Sequence, residues 1–330
     1  MTAFPEAVLM TIDQARGWID SGATLAIAGD MACLRQLPKG NWMGGTTPYF
    51  MAEGGGTCRD DRVFVHGFGG RAGRVVRYDC QSLPHLLEDA PENGFTLLIL
   101  PAGSQVLEEY ACHAPGYVDM YLKPLAGWVS GVRLERVERE PALVIDGRSG
   151  ETFENQAIAV HLPLPSPLTA TVHAVSLFAP GDGPTIEFPA TGFNASDCVV
   201  DGRAGNLAAF MAAHSVDQRW PLVADYCGAT INVSIQSVDT GGGQVRFFAP
   251  VYQGVRYRFA RPVSDYPARL QQAMPATSGT LLFGCNCILN YLYSELQGQR
   301  TGELTGPFTF GEVAYQLLNQ TAVFVTLDEA

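Results

Sequence analysis

The chain has 330 residues, a net charge of −12, 47% apolar residues and only 16% charged ones. That is ample material for a buried core, while the acidic balance with no Lys/Arg cluster argues against nucleic acid or an anionic lipid surface as partner. The first residues lack the basic region and apolar core of a secretory signal, and no stretch approaches the ~18 apolar residues of a membrane span, so a cytoplasmic protein is expected.

Thr11 with Gln14 is a capping-box pattern, and Ile12, Ala15 and Ile19 share a helical face that Gly22 ends. Ala23–Ala28 reads as a buried strand. The segment Pro38–Gly56 (PKGNWMGGTTPYFMAEGGG) then reads as a glycine-rich loop over 40–56. Its glycines, Gly44 and Gly45 among them, would let backbone approach a ligand, and Trp42 and Tyr49 could wall it. No Gly-Lys-Ser/Thr follows, so it is not a Walker loop; an irregular connection needing positive φ is the plainer alternative.

Val63–His66 and Val75–Asp79 read as strands. Between them Gly67-Phe-Gly-Gly-Arg-Ala72 fits a dinucleotide pattern, but a strand follows where a helix is required, so a hairpin turn is expected instead. Leu83–Asp89 suggests a short helix, Phe95–Leu100 (FTLLIL) a fully buried strand, and Gln105–His113 the helix after it. On that last helix Glu109 and His113 share a face beside Cys112, which suits a surface carboxylate–imidazole pair better than a metal site. From Pro141 to Pro189 the composition turns β-rich, with strands expected at Ala157–Leu162 and Thr171–Phe178. A boundary there gives an N-terminal α/β lobe (1–150) and a β-rich C-terminal lobe (151–330). Gly205–His214 reads as a helix, and Leu222–Val238, Val245–Tyr252 and Val255–Ala260 as strands, the last two joined as a hairpin through Gln253-Gly254. No internal repeat is visible. The fold class expected is mixed α/β (α+β), two-lobed, with mixed sheets covered by helices.

The eight cysteines, Cys227 among them, read as mostly reduced core residues. Cys285-Asn286-Cys287 sits where the strand Thr280–Gly284 should pass into the helix Ile288–Leu296; free helix N–H groups there could lower a thiol pKa, although buried structural cysteine is commoner. No zinc-ligand spacing, G-x-S-x-G or H-E-x-x-H is present.

Thr280-Leu-Leu-Phe-Gly-Cys285-Asn286, then Gly306-Pro-Phe-Thr309-Phe-Gly311-Glu312, then Asn319-Gln320-Thr321 before a last strand at Thr321–Leu327, resembles the C-terminal part of FIST (F-box and intracellular signal transduction) domains. These are bacterial sensory modules. The resemblance is most specific over 279–327, extends to 220–327, and implies small-molecule sensing, with amino acids proposed as ligands and haem bound by some members. It nominates Cys285, Asn286, Thr309, Gly311, Glu312 and Asn319 as pocket residues, to which the sequence adds Cys287, Trp42, Gly44 and Gly45, with 40–56 as a lid. Thr309 with Glu312 three residues on is equally a capping box heading a helix. The expectation is a stand-alone small-molecule-binding protein with no attached output domain, read by a separate signalling protein. The alternatives are an enzyme using Cys285 or Cys287 as nucleophile with Glu312 or a distant histidine, and a haem or metal sensor using His113 or another histidine.

Overall fold

A computed structural model describes residues 7–226, 229–275 and 279–329. The first six residues and Cys227, both covered by the readings above, lie outside the described residues.

The mixed α+β class is what the chain adopts, built on three six-stranded sheets. At the centre of each lies one strand–helix–strand unit whose two strands run parallel: Leu25–Gly29 with Trp42–Thr46, Gly94–Pro101 with Leu125–Ser130, and Thr280–Cys287 with Gly306–Thr309. Such central strands are covered on both faces, which is why FTLLIL is apolar throughout: Phe95, Leu97 and Ile99 face one core and Leu98 and Leu100 another. Beside the first strand of each pair lies an antiparallel closing strand (Val63–Gly67, Ala157–Pro163, Ala322–Glu329), and beyond it an edge strand (Ala7–Met10, Arg74–Tyr78, Leu168–Val175).

The other side of each sheet is completed by a strand pair from a different unit. Tyr49–Ala52 and Gly55–Cys58 leave the first unit and pair with Gly306–Thr309 of the third. Val144–Asp146 and Glu151–Phe153 leave the second and pair with Trp42–Thr46 of the first. Glu312–Ala314 and Gln316–Leu318 leave the third and pair with Leu125–Ser130 of the second. The chain is thus a threefold structural repeat, residues 7–67, 74–163 and 168–329, closed by a cyclic exchange of strand pairs. The repeat is one of topology, and none is visible in the sequence. Residue 150, where a lobe boundary was expected, falls in the turn of one exchanged pair.

The inner faces of the three sheets meet in one core, with Ala28 and Met43 from the first, Ile99 and Trp128 from the second, and Phe283 and Val325 from the third. The outer faces carry the helices. Ile12–Asp20, entered through the expected Thr11 capping box, covers the first sheet. Gln105–His113 covers the second, and Tyr266–Ala273 with Ile288–Tyr293 the third. In the second unit the helix expected over Leu83–Asp89 is only a 3-10 turn, Leu83–His85.

Within the third unit an insertion between Val175 and Tyr266 forms three three-stranded sheets and the helix Leu207–Ala213. The hairpin expected through Gln253-Gly254 does not form: Arg258–Phe259 pairs with Leu222–Tyr226, while Gln244–Val251 pairs with Gly192–Ala195 and Ile235–Asp239. Gly67–Ala72 is likewise no hairpin turn, because Val63–Gly67 and Arg74–Tyr78 belong to different sheets and the segment crosses between them. No helix follows it, so nothing cradles a pyrophosphate.

Candidate functional site

The glycine-rich segment is not a lid: it holds the strands Trp42–Thr46 and Tyr49–Ala52 and the start of Gly55–Cys58. Trp42 packs in the outer core and its indole N–H donates to Pro38 O at 2.9 Å. A Cβ on Gly45 would meet Ile99 at 2.7 Å and the Trp128 indole nitrogen at 3.0 Å, and one on Gly44 would meet Ile27 O at 2.8 Å. Glycine at 45 lets the first and second sheets close on one another and glycine at 44 clears the backbone of the neighbouring strand, and the loop reading of Trp42, Gly44 and Gly45 fails for that reason.

Cys285, Asn286, Cys287, Thr309, Gly311, Glu312 and Asn319 do come together, and all are buried. The strand Thr280–Cys287 lies parallel to Gly306–Thr309, setting Cys287 opposite Thr309. No helix follows Thr309: a two-residue turn leads into the strand Glu312–Ala314, so the capping-box reading is corrected. The two side chains still meet, Thr309 Oγ1 lying 3.0 Å from Glu312 Oε1 and 3.2 Å from Asn286 O. Thr309 has one hydroxyl proton to share between two oxygens. A protonated Glu312 satisfies both, donating to Thr309 while Thr309 donates to Asn286 O. Burial pushes the Glu312 carboxyl well above its ordinary value, which agrees with that chain. Burial does the same to the Cys285 and Cys287 thiols. Neutral thiols are poor nucleophiles.

The other residues of this cluster hold the framework. Asn286 Oδ1 accepts from Cys287 N at 2.8 Å, from Asn290 at 2.9 Å and from the Tyr266 hydroxyl at 3.2 Å. Gly311 O accepts from Val129 N at 2.8 Å, and a Cβ there would meet Val129 at 2.9 Å. Asn319 Oδ1 accepts from Ser234 N at 3.2 Å and Asn319 O from Asn232 at 3.0 Å, so the Asn-Gln-Thr motif docks the insertion onto the third unit.

Cys287 and Asn319 also line a cavity of about 840 Å³, within the range that organic ligands occupy. It opens where the second and third units meet at the carboxyl ends of their parallel strands. Its walls comprise the start of the helix Gln105–His113, the start of Ile288–Tyr293, Phe310, the connection 131–142, and Phe193, Phe247 and Phe248 of the insertion. Cys285, Asn286, Thr309, Gly311 and Glu312 lie behind this wall instead of on it.

The connection that lines the cavity has counterparts in the other units. Thr47-Pro48 and Phe310-Gly311 join the corresponding strands with two residues each, whereas the second unit uses thirteen, 131–143. This long connection is tied down by Leu134 N donating to the Tyr49 hydroxyl at 3.1 Å and by Arg133 against Asp60 at 3.1 Å. Sequence reasoning missed it, although Arg133–Glu140 carries six charges in eight residues in a chain otherwise poor in charge. The chain belongs to DUF6976, a family of unknown function whose pattern it matches over residues 10–328. No curated protein matches it.

Among the described residues of this DUF6976 chain no histidine lines the cavity. His113 lies on the surface, 3.1 Å from Glu109, in the carboxylate–imidazole pair that its spacing suggested. His161 has Thr96 at 2.9 Å on one ring nitrogen and Tyr78 at 2.7 Å on the other. His66 lies between Phe64 and Phe283, held at about 3 by burial and therefore neutral. These residues do not fit an axial ligand for haem in the cavity. Among the described residues no three His, Cys, Asp or Glu side chains converge on a metal position, and no helix is long and apolar enough to cross a membrane.

Proposed function

We propose that this DUF6976 protein binds a small molecule in the cavity between its second and third units, and that binding serves a sensory role read by a separate protein. One observation carries the reading. The chain departs most from threefold repetition at two places, the lengthened connection 131–143 and the insertion between Val175 and Tyr266, and both border the same cavity. A repeat that needs only two residues to cross between sheets gains nothing structural from thirteen, whereas long ordered loops in compact domains commonly form binding sites. The sensory part extends the likeness of residues 279–327 to FIST modules. The raised thiol values favour binding over thiol chemistry, since neither Cys285 nor Cys287 presents a thiolate.

The test is native mass spectrometry of the purified protein, looking for a retained small molecule, beside an Ala102→Trp variant. Ala102 is half-buried on the cavity wall, so an indole there takes up cavity space. A retained mass that disappears in Ala102→Trp is the expected result. Identical spectra for the two proteins, together with no ligand-induced rise in melting temperature across an amine, alcohol and carboxylate panel, would remove the reading.

A further inference from the structure

Granting the binding role above, the walls of the cavity narrow the ligand. Four phenylalanines, Phe193, Phe247, Phe248 and Phe310, line it, three of them only half-buried and so presenting ring surface to whatever enters. Phe310 is held in place by a glycine: a Cβ on Gly131 would lie 1.9 Å from its ring. Aromatic faces are electronegative and attract cations, most strongly where water is scarce.

The charges at the mouth point the same way. Glu108, Glu135, Glu138 and Glu140 line the cavity against two guanidiniums, Arg139 and Arg246. Glu140 has Arg136 at 3.5 Å, but Glu108, Glu135 and Glu138 form no ion pair among the described residues. Over the whole chain the excess of 33 acidic to 21 basic residues adds a field that draws cations and repels anions. A bare metal ion would leave the phenylalanine wall unused and finds no converging set of three ligands among the described residues. A neutral apolar molecule would use the phenylalanine wall but make no use of the mouth carboxylates. We infer that the cavity takes an amphipathic organic cation: an aromatic or branched apolar body against the phenylalanines, carrying an ammonium group toward Glu135 and Glu138.

Three probes of nearly equal shape test this: 2-phenylethylammonium, 2-phenylethanol and 3-phenylpropanoate, titrated calorimetrically into the full chain at low and at high salt. The ammonium should bind about tenfold more tightly than the alcohol and weaken severalfold at high salt. A Glu135→Gln/Glu138→Gln double variant should lose about three- to tenfold for the ammonium and leave the alcohol unchanged; both positions are exposed, so folding is not at stake. Equal or tighter binding of the alcohol or the carboxylate would overturn the cation class while leaving a ligand-binding cavity. If none of the three binds, the cation inference falls; if Ala102→Trp also leaves the mass spectrum unchanged, the binding role falls with it.

Discussion

Two connections at the same place in the repeat have opposite characters. In the third unit Phe310-Gly311 crosses from one sheet to the next in two residues, and the side chains flanking it, Thr309 and Glu312, are sealed. In the second unit residues 131–143 make the equivalent crossing, rise to the surface and wall a cavity. The two lie against one another, Phe310 N donating to Val129 O and Gly131 carrying the Phe310 ring. One crossing is therefore the packed floor on which the other stands. A carboxyl near a pocket can belong wholly to the floor, and Glu312 does.

The largest effect should come from breaking that floor. Glu312→Ala leaves Thr321 N without its acceptor, strips Thr309 of one of its two partners and opens a void, and should cost about 3 kcal/mol in urea denaturation. Glu312→Gln keeps the shape and a donor for Thr309 and should cost about 1 kcal/mol. Equal losses in the two variants would mean that the carboxyl is ionised in the folded protein. Gly131→Ala comes next: the added methyl strikes the Phe310 ring, and about 2 kcal/mol of destabilisation is expected, with cavity binding weakened as the ring is displaced.

The pH dependence sharpens the same contrast. Glu312 is raised in the folded protein above its ordinary 4.5, so the unfolded chain loses its proton first. Its contribution is fully present below about pH 4.5 and is lost as pH rises toward the folded value, by up to about 1.4 kcal/mol per pH unit. Stability measured against Glu312→Gln should therefore fall with rising pH across that window. A difference that does not change with pH would contradict a neutral Glu312. The smallest effect belongs to the upper connection: Arg133→Ala removes a partly exposed pair with Asp60 and should cost about 0.5 kcal/mol while speeding proteolytic cleavage within 134–140. Slower cleavage than wild type would show that Arg133 does not hold the segment.

How much of this was legible varied with the range of the forces involved. The strand Gly94–Pro101, the helix Gln105–His113 and the Thr11 cap follow from periodicity and capping within a few residues, and they stand where the sequence put them. The grouping of Cys285–Cys287 with Thr309 and Glu312 rested on a family-like pattern, and the structure brings those residues together. The glycine-rich run misled, because glycine is rare in strands unless another backbone or a large ring presses close, and the Trp128 that presses on Gly45 lies more than eighty residues away. The charged run at 133–140 stands out in the sequence, but charge alone does not say whether a run lies on bare surface or beside a cavity.

The sequence by itself determined what local physics determines: which segments alternate, which are apolar on both faces, and where helices begin. Tertiary structure alone decided the threefold arrangement, because exchanged strand pairs are held by backbone hydrogen bonds that any side chain permits. It decided, too, that Glu312 is sealed while Glu135 and Glu138 face an open cavity, since burial depends on what other parts of the chain lay over a residue.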